Sequence, residues 1–430
     1  MDSYSRPLVL IGLGNVGSKV LEQLIVDDHR YDPIVLADSK HVVPGMSSKQ
    51  DLLKVLNAKR NGGLGSLNLK LVPLEYLPNY FVPGSIVINA SPTEFSASDQ
   101  QAVEKNASIQ YDIWALKMMS HVVAAHKSAF ANNSMYQRIR EMEHVYGATY
   151  VPAGAIMGPT RAAEMLDWLN GKNVKVVSAQ GIVNSTTNYI LSQMMAGRSY
   201  EDALGETKRG GLAETNHSND TQGHDALVKM KAAAMISGRY SGEELFGLSD
   251  QRSAVPSDLR TKINSNGTLG IEGVTNGLLN ELSLRGLIIK LVGSYDGNTG
   301  IASVGPVALP LDNALAQVNG ADNILVLNLE GRVEIIQMVR ALFESFTMLE
   351  RKYPHIQKYL INTNYNVMPR GHQPESFNTS ITHNSATNTL EIRGVGGGSA
   401  DTAAGLLAAA NNLSKSLARR EPDLASTISF

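Results

Sequence analysis

At 430 residues, with 43% hydrophobic and 18% charged residues and a formal net charge of −2, the chain holds apolar material for two or three cores. It carries no charge excess that would draw it to nucleic acid or an anionic membrane. Cysteine is absent, which excludes disulfides, thiol nucleophiles and Cys-based metal sites, and no apolar run reaches the roughly 18–20 residues of a spanning helix. The start, MDSYSRPLVLIGLG, lacks a basic segment and a small-residue cleavage site, so a cytoplasmic location is expected.

In chain order, residues 7–12 form an apolar run of strand length, followed by the turn Gly12-x-Gly14-x-x-Gly17. A helix follows, with apolar spacing carried by Val20, Leu21, Leu24 and Ile25. A second strand over 33–38 ends on Asp38. The pattern then predicts a helix over 49–60, a short strand over 69–74 and a buried strand over 85–93 that closes in a polar turn. A helix over 97–107 and a strand and turn over 121–130 complete the series. Strands alternating with helices predict a parallel, doubly wound α/β sheet of Rossmann type with right-handed crossovers. The Gly- and Pro-rich stretch 147–160 ends this dinucleotide-binding domain, placed at 1–155.

Beyond it, 174–183 begins a second sheet, 225–237 is a helix, and 283–295, 300–309 and 323–330 supply strands of a second, α+β domain at 156–390. Residues 333–353 read as a long amphipathic helix, and the polar tract 362–387 as loop or hairpin. A strand, a glycine turn and an Ala/Leu-rich helix make up the C-terminal segment 391–430.

The three N-terminal glycines have separate tasks. Gly12 permits the tight turn, Gly14 lets backbone approach a pyrophosphate, and Gly17 allows close helix–strand packing. Asn15 and Val16 open the helix, whose unpaired N–H groups and dipole favour the phosphates. Asp38 is placed to accept bonds from ribose hydroxyls, which favours NAD; Lys40 and His41 beside it could instead meet a 2′-phosphate, so NADP stays open. The turn Asn89-Ala90-Ser91 lies at a strand's carboxyl end, where it can meet ribose or nicotinamide or serve as turn chemistry alone. A second cluster, Gly394, Gly396, Gly397 and Gly398, opens the last helix as an anion site or a sharp turn.

The candidate reacting centre is 181–229, GIVNSTTNYIL…GGLAETNHSNDTQGHDALVK. Asp225 and Lys229 stand at i and i+4 on one helix face, which a surface ion pair would also explain. Glu214 and Asp220 lie just upstream, and Asp220 is equally a plausible N-cap. Lys127 follows the apolar strand HVVAAHK, at the sheet end where ligands bind in open α/β folds. Oxidising an alcohol by hydride transfer also requires removal of the hydroxyl proton, a task for a desolvated lysine. His121, His126, His217 and His224 have no metal-ligand spacing and read as polar turn or core residues; no metal is expected.

Taken together, these blocks resemble the homoserine dehydrogenase family. GLGNVG, HVVAAHK (family HVVTANK), GIVNSTTNYIL (family GILNGTTNYIL), GGLAET…NDTQGHDALVK and the terminal GVGGGSADTA occur in the family's order. The resemblance implies reversible NAD- or NADP-dependent oxidation of L-homoserine to L-aspartate 4-semialdehyde, a step of threonine and methionine biosynthesis. It implies that Lys127 and Lys229 assist proton transfer, that Glu214 and Asp225 bind the amino-acid substrate, and that Asp220 supports them. It also implies a last helix that packs on the nucleotide domain, setting Gly396 and Gly398 beside the cofactor, and a homodimer formed through the second sheet. Departures are Ser185 where the family has glycine, VPAGAIMGPT at the 151–160 turn, and about 45 extra residues between Asn323 and Gly394, placed as an insertion near 331–385. No fused regulatory or kinase domain is expected.

Overall fold

The computed structural model describes residues 6–26, 31–67, 69–93, 106–210, 212, 217–261, 268–331, 365–367, 380–384, 386–395 and 398–427. Two units divide the chain: Met1–Gly158 with Ser399–Phe430, and Pro159–Gly398. No helix among the described residues is long and apolar enough to cross a membrane.

In the first unit, β1 (Arg6–Ile11), β2 (Tyr31–Ala37), β3 (His41–Met46), β4 (Val72–Pro73), β5 (Ile86–Asn89), β6 (His121–Ala124) and β7 (Tyr150–Val151) form one sheet. Its order is β4-β3-β2-β1-β5-β6-β7. The pairs from β2 through β1, β5 and β6 to β7 are parallel. β5 and β6 are buried along their whole length, as strands covered on both faces must be. The doubly wound core is therefore the one the strand–helix alternation predicts. On the β2 side, however, the sheet ends in the antiparallel strands β3 and β4. β3 escapes notice in the sequence because Pro44 and Gly45 interrupt it and make it read as a loop.

Helix α1 (Asn15–Val26) buries Gly17, Val20, Leu21 and Leu24. The C-terminal helix α11 (Ser399–Thr427) packs on α1, and its Leu406, Leu407, Ala410 and Leu413 share one core cluster with Val20, Leu21 and Leu24. The Tyr31 hydroxyl adds a 2.8 Å bond to Asn411 Oδ1. α2 (Lys49–Arg60) occupies the expected 49–60, capped by Ser48. Of the helix expected over 97–107, residues 97–105 lie outside the described residues. The helix observed, α3 (Ala107–Lys117), starts where that expectation ended, with Asn106 as N-cap. It buries Ser108 and Asp112 together with Ile109, Ile113 and Leu116, so its sequence shows no clean apolar stripe. α4 (Asn133–Tyr146) precedes β7.

In the second unit, α5 (Ala162–Gly171), α6 (Ser185–Met195), α7 (Tyr200–Arg209), α8 (Ser218–Thr221), α9 (His224–Ile236) and α10 (Asn276–Ser283) accompany an eight-stranded sheet. Its strands are β8 (Lys175–Ile182), β9 (Gly242–Leu245), β10 (Leu287–Asp296), β11 (Ile301–Pro310), β12 (Asp322–Glu330), β13 (Tyr365–Val367), β14 (Ser380–Asn384) and β15 (Thr389–Val395). The order is β13-β14-β15-β12-β8-β10-β11-β9. β15 completes this sheet, so the return to the first unit begins at Ser399. The tract 362–387 contributes the antiparallel pair β13–β14, while the helix expected over 333–353 lies outside the described residues.

α9 packs on β10 and β11, close enough that a Cβ on Gly293 would stand 2.6 Å from Met230 Cγ. Register on the opposite sheet face sets Gln180 beside Ser294 and Val326, and Ser178 beside Asn328. That face is polar at this end only, because Ile182, Val292 and Ile324 on the same rows join Leu315 and Val318 in a second core cluster.

Lys290 breaks the pattern: it is fully buried on β10, and its ammonium donates to Asn188 Oδ1 at 2.9 Å and to the Val318 carbonyl. Burial without a carboxylate partner pushes its pKa down to about 8. Below about pH 8 the charge is a constant cost; between about 8 and 10.5 the unfolded chain holds the proton more tightly, so this group raises stability as pH climbs. The full effect is about 3 kcal/mol. Urea melts of wild type and Lys290→Met across this range should show wild type gaining on the variant with rising pH. A difference independent of pH would refute the buried-charge account.

Candidate active site

In the first unit the glycine turn brings strand and helix into close approach and leaves one glycine open. Gly12 has φ +86°, and a Cβ there would stand 2.5 Å from the Ala90 carbonyl oxygen. A Cβ on Gly17 would fall 1.8 Å from the Gly12 carbonyl oxygen, which is the close strand–helix approach in atomic form. Gly14 is exposed and faces open space, with nothing within 4 Å of a Cβ. The exposed Asn15 and half-buried Val16 form the first turn of α1, directly behind that space. Backbone bonds join the loop to both neighbouring strands, from Gly12 N–H to Ala37 O at 2.9 Å and from Ala90 N–H to Ile11 O at 2.8 Å.

Asp38 follows β2 and is largely committed to its own turn. Its Oδ1 accepts the Lys40 and His41 backbone N–H groups, each at 2.9 Å, and its Oδ2 pairs with Lys59 Nζ at 3.3 Å. Burial alone would raise its pKa, but the two backbone bonds and Lys59 outweigh it and hold the carboxyl below its ordinary value.

Asn89, read in the sequence as a cofactor contact, is fully buried and turned inward. Its amide donates to Ser108 O and Asp112 Oδ1, and its oxygen accepts from the Ser91 N–H and hydroxyl. Its part is therefore to hold the turn carrying Ala90 and Ser91, because every polar atom of its side chain is already used. Lys127 is half-buried beyond β6, and its N–H donates to Thr93 Oγ1 at 3.1 Å. Of the C-terminal glycines, Gly398 is exposed with φ +122° just before α11, while Gly396 lies outside the described residues.

The second unit brings Asp220, Asp225 and Lys229 together around a residue that the motif spacing did not single out, Asn184. As N-cap of α6, Asn184 accepts the Thr187 N–H at 2.9 Å through Oδ1. This leaves its NH₂ pointing outward, where it donates to Asp220 Oδ1 at 2.7 Å and Asp225 Oδ2 at 2.9 Å. The signal was available: an Asn immediately before Ser-Thr-Thr at the start of an apolar run is a helix-start pattern.

Asp220 lies on the short helix α8 and does not cap α9, whose N-cap is Gly223 with φ +90°. Burial first, and then the charge of Asp225, raises the Asp220 pKa against the opposing Asn184 bond and Lys229 charge. Lys229 pairs with Asp225 Oδ2 at 2.7 Å and donates to the Val183 carbonyl at 2.6 Å. Lys229 is only 8% exposed and Asp225 is half-buried, so the solvated-surface explanation does not hold. Among the described residues, two of the three ammonium protons are used, which leaves a third for a further oxygen. Ser185 donates to Asn323 Oδ1 at 3.3 Å, so the hydroxyl that replaces the motif's glycine is absorbed locally. Glu214 lies outside the described residues.

This centre can hold an ammonium between carboxylates and hand a proton to or from a neighbouring oxygen. A family model for homoserine dehydrogenase matches residues 165–339, the stretch that contains it. The homoserine dehydrogenase of Methanocaldococcus jannaschii is 24% identical over 345 residues, covering 77% of this chain and 92% of that one. The Bacillus subtilis homoserine dehydrogenase is 28% identical over 317 residues, covering 73% of this chain and 64% of that protein. Among solved structures, a hyperthermophilic archaeal homoserine dehydrogenase in complex with NADPH aligns with a TM-score of 0.62 at 20% identity, covering 96% of this chain and 98% of that one. At that identity the structural match speaks to the fold.

Proposed function

The chain belongs to the homoserine dehydrogenase family, and from that premise we propose that it interconverts L-homoserine and L-aspartate 4-semialdehyde with NAD or NADP. The observation that carries the reading is the Asn184–Asp220–Asp225–Lys229 network, in which Asn184 and Lys229 are buried and the two aspartates half-buried. A bound nicotinamide supplies a hydride acceptor or donor. The open position at Gly14, before the N-terminal turn of α1, fits the pyrophosphate of such a cofactor. Lys40, His41 and Lys59 around Asp38 support use of NADP as well as NAD.

In the reducing direction the aldehyde carbon receives the hydride and its oxygen receives a proton; oxidation of the alcohol reverses both transfers. Lys229 offers its third N–H to that oxygen, and Lys127 is the second lysine assigned to proton transfer. Asp225, with Asp220 and Glu214, is assigned to the substrate's ammonium group. Asn184 holds the two aspartates at fixed positions, so the ordering cost is met on folding rather than at binding. A homodimer formed through the second unit's sheet and a cytoplasmic location belong to the same reading.

Purified protein is mixed with L-homoserine and either NAD or NADP, and absorbance of the reduced nicotinamide is followed. Turnover is expected with homoserine. Turnover only with other amino alcohols would reassign the substrate, and cofactor binding without turnover would remove the catalytic reading.

A further inference from the structure

Beneath the Lys127 turn lies a second buried network that the proposed reaction does not use. His126 and Asp112 both have fully buried side chains, and His126 Nε2 stands 3.1 Å from Asp112 Oδ2. The contact is a close approach of ion-pair length without hydrogen-bond geometry, and neither atom has a hydrogen-bond partner among the described residues. The buried Tyr150 hydroxyl also lies against Asp112. On the other side of the ring, Nδ1 accepts the Ser128 backbone N–H at 3.3 Å. An accepting Nδ1 places the ring proton on Nε2, facing the carboxylate. The other Asp112 oxygen accepts from Asn89 Nδ2 at 2.8 Å, and Asn89 Oδ1 holds both the N–H and hydroxyl of Ser91.

The result is continuous. One imidazole fixes the backbone on both sides of Lys127, through its own residue and through Ser128. Asp112, from α3, ties that imidazole to the turn at the end of β5, and the Lys127 N–H bond to Thr93 closes the circuit. The family's motif has Asn where this chain has His126. An asparagine can accept the N–H two residues on, but it is too short to engage a carboxylate on a neighbouring helix.

We propose that Asp112 and His126 are positioning residues for proton transfer, setting the tautomer and orientation of an imidazole that clamps Lys127 between the β5 and β6 turns. The proposal rests on the assignment of Lys127 to proton transfer. A carboxylate that sets the tautomer and orientation of a histidine is a known catalytic device, and loss of such supporting contacts costs about tenfold to a hundredfold in activity. Asp112→Asn should therefore lower kcat by about tenfold to a hundredfold. Affinity for reduced nicotinamide cofactor, read by fluorescence titration, should stay within about twofold, since the clamp acts through Lys127.

The deciding measurement is a double-mutant cycle. In a Lys127→Met background, Asp112→Asn should cost no more than about twofold further, because its route of action is already gone. An equal loss in both backgrounds, or a loss seen wholly as weaker cofactor binding, overturns the proposal. Should Asp112→Asn fail to fold, His126→Asn takes its place in the cycle, keeping the Ser128 contact while severing the one to Asp112. A loss confined to the Lys127 background then supports the clamp, and an equal loss in both overturns it. Nitrogen NMR of the histidine rings gives a readout independent of homoserine. His126 should show a protonated Nε2 and a bare Nδ1 in the wild type, and the Nε2 resonance should move in Asp112→Asn; an unmoved Nε2 resonance would overturn the proposal. Absence of homoserine turnover in the wild type would instead count against the proposed function, leaving the ring spectra to judge the pair.

Discussion

Lys229→Met should lower kcat for homoserine oxidation by about 10²–10⁴-fold, the range associated with loss of a positioned proton donor or acceptor. Its ammonium is buried, bonded to Asp225 at 2.7 Å and to the Val183 carbonyl at 2.6 Å. Removing it leaves the half-buried Asp225 with the Asn184 amide but without its cation, so the variant should also melt at lower temperature. Lys229→Arg separates the two effects. Arginine keeps the charge beside Asp225 but never releases a proton near neutral pH, and its planar fork does not reproduce the ammonium's contacts. Stability should be largely restored in Lys229→Arg while activity stays low. Activity near wild type in either variant would remove Lys229 from the mechanism.

The second large effect is expected at the glycine turn, where two neighbouring glycines should fail in different ways. Gly17→Ala forces a methyl to 1.8 Å from the Gly12 carbonyl oxygen, and backbone in a paired strand–turn cannot move aside cheaply. Overpacking of this kind costs about 3 kcal/mol or more, so the first unit should unfold at lower temperature and cofactor binding should fail with it. Gly14→Ala meets nothing within 4 Å, so its melting temperature should match wild type. The added methyl stands where a pyrophosphate must approach the backbone, and cofactor affinity should fall about tenfold or more. Thermal melts paired with fluorescence titration of NADH and NADPH distinguish the cases. Wild-type cofactor affinity in Gly14→Ala would show that the pyrophosphate does not pass this point.

Much of the fold was legible because the signals are short-range. The apolar runs that became β1, β5, β6 and β8, and the spacing that became α1 and α9, report burial within a few residues of themselves. β3 was hidden because a two-residue Pro44-Gly45 interruption outweighs four strand-forming positions. α3 was hidden because a helix burying polar Ser108 and Asp112 has no single apolar face. The candidate site was partly legible. Asp225 and Lys229 are one helical turn apart, which spacing reveals, but the same spacing describes a solvated pair. That Lys229 is buried against the Val183 carbonyl, and Asp225 held by Asn184, is a property of the fold around them.

By itself, then, the sequence determined the residue types and local geometry of the chemistry: the three-glycine turn, an acid and a lysine on one helix face, and the order of the motifs. These follow from backbone freedom and helical period, which act over a handful of residues. Tertiary structure alone decided which of those residues share a network. Asn184 reaches Asp220 and Asp225 across separations of 36 and 41 residues, and Asn89 reaches Asp112 across 23. It also decided that Asn89 faces inward and that Lys290 bonds Asn188 from 102 residues away. A buried amide, carboxylate or ammonium must find a partner wherever the fold supplies one, and no local pattern records where that will be.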